Sequence, residues 1–253
     1  MKKIFLKKGR DEAVKRQHPW IFSGAVGYSE GELQDGDLAE VYDSKKQWLA
    51  IGYYNDGSIM VRILSFEPTI IDADFWFNKL KNAFKYRQRL ELTDSESTNC
   101  YRLVHAEGDG LPGLIIDIYG SVAVVQCHSI GIHRQIEAIK NGLQKVFGEK
   151  LTAIYDKSAE TLPPPYVSQN DIKNDYLFGE MDVPLTVFEN DNAFAVDWIT
   201  GQKTGFFLDQ RDNRALLSRY TKDKSVLNAF CYSGGFSIYA LKAGAKSVHS
   251  IDI

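Results

Sequence analysis

Lys224-Ser225-Val226-Leu227-Asn228-Ala229-Phe230-Cys231-Tyr232-Ser233-Gly234-Gly235-Phe236-Ser237 is the stretch that decides the fold. A short apolar run, Val226 to Phe230, stops at a Ser-Gly-Gly turn. A helical pattern from Phe236 to Lys242 follows, Gly244 closes it, and apolar alternation resumes from Val248 to Ile253. Strand, tight glycine turn, helix and strand form the opening of a doubly wound nucleotide-binding fold. In such folds a ligand sits outside the carboxyl ends of the strands. Gly234 and Gly235 have no Cβ to hold the backbone away from it. Asp252 ends the second strand, where a carboxylate can accept both hydroxyls of a ribose.

Two nucleotide signatures are missing. Tyr232 and Phe236 stand where a G-x-G-x-x-G fingerprint needs glycine, and no Gly-Lys-Ser/Thr follows the turn. A cofactor with a ribose and no pyrophosphate remains, namely S-adenosylmethionine. An ordinary glycine turn without a ligand has the same local pattern, so the reading rests on the turn together with Asp252.

Working outward, Leu185–Glu189 and Ala193–Asp197 pair as a hairpin across Asn190-Asp191-Asn192. After them Asp209 suits a helix N-cap, with Ala215, Leu216 and Leu217 continuing the helix. Further back, Leu114–Tyr119 and Val122–Cys127 form a hairpin across Gly120-Ser121. Tyr101–His105 precedes it, a helix carrying Ile132, Ile136, Ile139 and Leu143 follows, and Leu151–Tyr155 is a further strand. That order implies an α+β domain over residues 70–184. Leu162-Pro163-Pro164-Pro165 reads as a stiff extended spacer. Asp72 to Leu92 is a helix with Phe77, Leu80 and Phe84 on its apolar face and a basic stripe of Lys81, Lys85 and Arg89, read as a solvated face. Residues 1–69 read as short strands between turns, a small β barrel or sandwich, with Trp20 in its core. The fold class is therefore multidomain α/β and α+β: a β barrel, a central α+β domain, and the start of a Rossmann-like domain over residues 185–253.

With 253 residues, 44% of them hydrophobic, the chain can bury real cores. No run of eighteen apolar residues exists to span a membrane. Cys100, Cys127 and Cys231 lack C-x-x-C spacing, which argues against a disulfide frame or a zinc site and for a cytoplasmic protein. The net charge of −3 is not that of a bulk nucleic-acid binder. Lys2, Lys3, Lys7, Lys8, Arg10, Lys15 and Arg16 nevertheless crowd the first nineteen residues, so RNA would bind at patches; a solvated basic terminus would look the same.

Four blocks together resemble the PUA-domain-containing class I methyltransferases that make 5-methylcytosine in large-subunit ribosomal RNA. They are His18-Pro19-Trp20-Ile21-Phe22, Gly108-Asp109-Gly110-Leu111-Pro112-Gly113-Leu114-Ile115, Thr204-Gly205-Phe206-Phe207-Leu208-Asp209-Gln210-Arg211-Asp212-Asn213-Arg214, and Leu227 to Ser237. The resemblance implies an RNA-binding PUA domain at the start and S-adenosylmethionine as cofactor. It implies cofactor contacts from Gln210, Arg211, Asn228, Phe230, Cys231, Tyr232, Ser233, Gly234, Gly235, Phe236 and Asp252, with Lys203 beside them. It further implies that a cysteine attacks C6 of cytosine and a base removes the C5 proton. The family's cysteines for these steps lie in motifs later than Ile253, so no catalytic residue is expected within this chain, which should be inactive alone. Cys100 and Cys127 read as small core hydrophobes. Strand edges around Val226–Phe230 would admit a second copy, making a homodimer. Two other classes fit parts of the pattern: a non-catalytic RNA-binding protein, which would not need Asp252, and a class I methyltransferase acting on another substrate.

Overall fold

The computed structural model describes residues 1–252; Ile253, expected to end the second strand of the glycine-turn unit, lies outside the described residues. The first unit is a six-stranded sheet in the order β2-β6-β5-β4-β1-β3. Its members are β1 (Lys2–Leu6), β2 (Trp20–Phe22), β3 (Val26–Glu30), β4 (Leu38–Tyr42), β5 (Trp48–Tyr54) and β6 (Ile59–Ser65), with the short helix α1 (Glu12–Lys15) after β1. The β4–β5 hairpin turns at the polar segment Asp43–Lys46, where Asp43 Oδ1 accepts from the backbone of Lys45 and Gln47, both at 2.8 Å. Alternate residues Ile4, Leu6, Val41, Val61 and Ile63 face inward to form its core.

Helix α2 (Ala73–Arg89) starts at Asp72, whose carboxylate accepts from Phe75 N at 2.9 Å. The buried face is Trp76, Leu80, Ala83 and Arg87, shifted from the expected Phe77–Leu80–Phe84 stripe. Phe77 and Phe84 are half-buried at its rim, while Lys81, Lys85 and Arg89 are solvated. Arg87 can lie inside because Asp109 takes its guanidinium bidentately, Nη2 to Oδ2 at 2.8 Å.

The central sheet has the order β11-β10-β9-β8-β7, from β7 (Cys100–His105), β8 (Leu114–Tyr119), β9 (Val122–Cys127), β10 (Ala153–Asp156) and β11 (Asp175–Phe178). The expected single helix after β9 is broken into α3 (Ile130–His133) and α4 (Ile136–Phe147); Gly148, at φ 57°, ends α4. The Pro-rich segment corrects the spacer reading: Pro164 and Pro165 open α5 (Pro164–Gln169), because proline costs nothing in a helix's first turn. β9 is buried along its whole length because both faces of this sheet are covered. One face, with Leu103, Ile116, Ala123, Val125 and Ile154, packs on α2 and α4. The other, with Cys100, Tyr119, Val122, Val124 and Ala153, shares a core with Val187, Phe194, Trp198 and Phe206. The central unit therefore does not close its core alone.

That second cover is the hairpin β12 (Leu185–Glu189) and β13 (Asn192–Val196). Asn192 pairs with Glu189, so the turn is Asn190-Asp191 alone and the register is one residue off the expected one, which put Asn192 in the turn. Helix α6 (Arg211–Leu217) follows a 3₁₀ turn at Leu208–Gln210. Gln210 precedes the helix and Asp209 makes no cap, which corrects the N-cap expectation. Strand β14 (Ser225–Ala229), helix α7 (Gly235–Lys242) and β15 (Ser247–Ile251) then form a parallel strand-helix-strand unit.

The first two units lock where α3 meets β5. A Cβ on Gly131 would stand 2.3 Å from Tyr53 Cγ, and Tyr53 is itself buried in the central core. A ring fixed by its neighbours cannot retreat, so Gly131→Ala should destabilise the chain by about 1–3 kcal/mol. Chemical denaturation checks this, and an unchanged midpoint would show that the contact yields.

Candidate cofactor site and adjoining cavity

The glycine turn is a tightly bonded loop at the carboxyl ends of β14 and β15. Cys231 N donates to Ile251 O at 3.2 Å, and Gly234 N to Cys231 O at 2.8 Å. Tyr232 N donates to the Asp252 carboxylate. Phe230, Tyr232 and Gly234 take left-handed backbone (φ 60°, 46° and 76°), a conformation that non-glycine residues hold only when surroundings over-determine it. A Cβ at Gly234 would meet nothing within 4 Å, so the space in front of the turn is open. A carboxylate at the strand end, beside an open backbone turn at a helix start, fits a cofactor carrying a ribose.

Asn228 Nδ2 donates to Ser237 Oγ at 2.8 Å, and Ser237 bonds Ser250 at 2.7 Å, tying β14, α7 and β15 together below the turn. Cys231, Phe236 and Gly234 are half-buried, Ser233 and Phe230 are exposed, and Gly235 is buried against Arg214. These residues and Asp252 come together. Gln210 and Arg211 are engaged elsewhere. Gln210 bonds Asp209 and Asn213. Arg211 donates to Cys100 O, stands 3.4 Å from Glu189, and lines a separate cleft with Tyr86, Tyr101 and His105. No hydrogen bond or ion pair among the described residues joins either to the turn.

Helix α7 is held from behind by buried charge. Glu189 on β12 accepts from Arg214 Nε at 2.8 Å and Nη2 at 2.7 Å, and from the Tyr239 hydroxyl at 3.0 Å. Burial, then the Glu189 charge, pushes the Tyr239 phenol up to about 12, so it remains a donor. Arg214 also lies over the Phe206 ring, 4.6 Å from its centroid.

The 197–207 loop forms the wall between the turn and a cavity of about 440 Å³. Asp197 caps its start, accepting from Ile199 N and Thr200 N. Lys157 donates to the carbonyls of Trp198 and Gly201, and Thr204 donates to buried Asp117 at 2.6 Å. On the turn side, Tyr232 OH donates to Gly205 O at 3.1 Å, and its ring meets Phe207 edge-on at 5.2 Å between centroids. On the far side Phe207, Ile115, Arg62, Arg102, His128 and Lys203 line the cavity.

Arg102 is paired bidentately with Asp117 at 2.8 and 2.9 Å. Arg62 bonds Asn55, and neither it nor Lys203 has a carboxylate partner among the described residues. The wall around His128, then Lys203 and Arg62, holds its imidazole below the ordinary histidine range. Trp20 is half-buried and donates to Glu107 on the cavity rim at 2.8 Å, a strut between units where a core position was expected. Of these residues the sequence singled out only Trp20, Lys203 and the blocks containing Ile115 and Phe207.

Cys100 and Cys127 are fully buried, and burial raises both thiols, Cys100 to about 12. Neither can serve as a thiolate nucleophile. Among the described residues no cluster of three or more His, Cys, Asp or Glu suits a metal ion, and no helix is long and apolar enough to cross a membrane.

Residues 4–66 match the family model of a PUA-like domain, and residues 102–253 match that of S-adenosylmethionine-dependent methyltransferases. The chain belongs to this methyltransferase family. Its cofactor class is thereby S-adenosylmethionine. The chain is 40% identical over 253 residues to the ribosomal RNA large subunit methyltransferase I of Aeromonas salmonicida, and 38% identical over 252 residues to the protein of that name from Vibrio cholerae. Both alignments cover 99% of this chain and 62% of the relative, so the chain spans about 62% of the length of these curated relatives. A solved candidate SAM-dependent methyltransferase from Streptococcus mutans superposes with TM-score 0.83 at 22% identity, and a candidate methyltransferase complexed with SAH with TM-score 0.84 at 22%. Each covers 100% of this chain and 63% of the other. At that identity the likeness is one of fold.

Proposed function

We propose that the chain acts in S-adenosylmethionine-dependent methylation of large-subunit ribosomal RNA, with 5-methylcytosine as product. The observation that carries this reading is the 38–40% identity, along 99% of the chain, to relatives named for that RNA. When bound, the cofactor supplies the methyl group. Asp252 is the residue proposed to take the ribose hydroxyls, and its bond to Tyr232 N fixes the carboxylate beside the turn. The backbone of Cys231 to Gly235 would receive the rest of the cofactor, with Asn228 and Phe236 supporting the turn. Phe207, in edge-on contact with Tyr232, and the 197–207 loop stand as a wall beside the turn, which favours an ordered transfer geometry.

Nucleoside mass spectrometry of large-subunit rRNA from cells with and without the gene tests the product. Loss of one 5-methylcytosine per rRNA, restored on complementation, is expected. An unchanged 5-methylcytosine content would refute the assignment.

A further inference from the structure

The cavity behind Phe207 lies across the 197–207 loop from the cofactor turn and is built from every unit of the chain. Arg62 comes from β6, Arg102 from β7, Ile115 from β8, His128 from the end of β9, and Lys203 and Phe207 from the loop behind the cofactor turn. Its volume, about 440 Å³, lies in the range of small-ligand sites. Ile115 and the half-buried Phe207 offer an apolar and aromatic surface, and Arg62 and Lys203 bring cations that form no salt bridge among the described residues, although Glu107 and Asp209 share the lining. His128 adds a ring that burial, then the positive charge of Lys203 and Arg62, holds below the ordinary histidine range, and its neutral form can both donate and accept.

Given the rRNA reading above, on which this rests, we infer that the cavity seats one unstacked nucleotide of single-stranded RNA. The base lies against Phe207 and Ile115, and the flanking phosphodiester lies on Lys203 and Arg62. An aromatic face beside basic side chains is the arrangement that binds single-stranded nucleic acid, because every base has a π-face and every linkage a charge. Stacked duplex RNA presents no free base to such a pocket. Phe207 touches Tyr232 on its other side at 5.2 Å, so a base seated there adjoins the cofactor turn across a single ring.

Fluorescence anisotropy with a labelled single-stranded RNA decamer, across a salt series, tests this on the 253-residue chain. Lys203→Ala and Arg62→Gln should each weaken binding about three- to tenfold and flatten the log–log salt slope by about 0.7. Lys203 is exposed, so its variant folds irrespective of Arg62. Lys150→Ala, a remote surface change, should match wild type, and a duplex of the same sequence should bind more weakly. Wild-type affinity in both cavity variants, or equal affinity for duplex and single strand, would overturn the inference while leaving the rRNA reading intact. Failure of the wild-type chain to bind any RNA would count against both.

Discussion

Arg214→Ala lowers the unfolding free energy by about 3–5 kcal/mol, because it strands the Glu189 carboxylate, which is fully buried, without its bidentate partner. Among the described residues, the Tyr239 hydroxyl and the Arg211 guanidinium, 3.4 Å away, then remain near that charge. Glu189→Met alone should cost a similar amount, leaving Arg214 buried and unpaired. The double variant Arg214→Met with Glu189→Met removes both charges at comparable volume, and most of the lost stability should return. Urea denaturation of the single and double variants checks this. Additive losses would mean that the pair does not act as a unit. The cluster joins β12, α6 and α7, so the single variants should also loosen the helix that carries the glycine turn.

Asp252→Ala should weaken S-adenosylmethionine binding by about ten- to a hundredfold. The loss of a hydrogen-bonded charge is worth about 1.5–3 kcal/mol, and each 1.4 kcal/mol is a factor of ten. Two effects combine here: the ribose loses its acceptor, and Tyr232 N loses the carboxylate that holds the turn. Asp252→Asn separates them, since the amide oxygen can still accept from Tyr232 N while the charge is gone. Its affinity should fall between wild type and Asp252→Ala. Equal affinities for all three proteins would remove Asp252 from the site.

Much of the fold was legible because burial imposes short periods on the chain. The β8–β9 hairpin and the unit from Ser225 to Ile251 lie where alternation and turn residues put them, and the β12–β13 pair does so to within one residue of register. What escaped has physical causes. β11 is a four-residue edge strand with two exposed ends, so its pattern is weak. Proline in a first helical turn looks like a breaker when read alone. The α2 stripe was displaced because Trp76 and a paired arginine at Arg87 face the sheet, and no sequence pattern marks an arginine as buried.

The two parts of the site differed in the same way. The turn and Asp252 lie within one supersecondary unit, so their spacing is local and readable. The cavity draws on Arg62, Arg102, His128 and Lys203 from strands and a loop far apart in sequence, and no spacing announces them. Arg211 enters the site through the resemblance alone; its guanidinium donates to Cys100 O and stands 3.4 Å from Glu189.

Calorimetric titration of S-adenosylmethionine into the wild-type chain tests the central claim most directly. The account predicts saturable one-site binding that S-adenosylhomocysteine displaces and that Asp252→Ala weakens. A folded chain that takes up neither compound at millimolar concentration would contradict it.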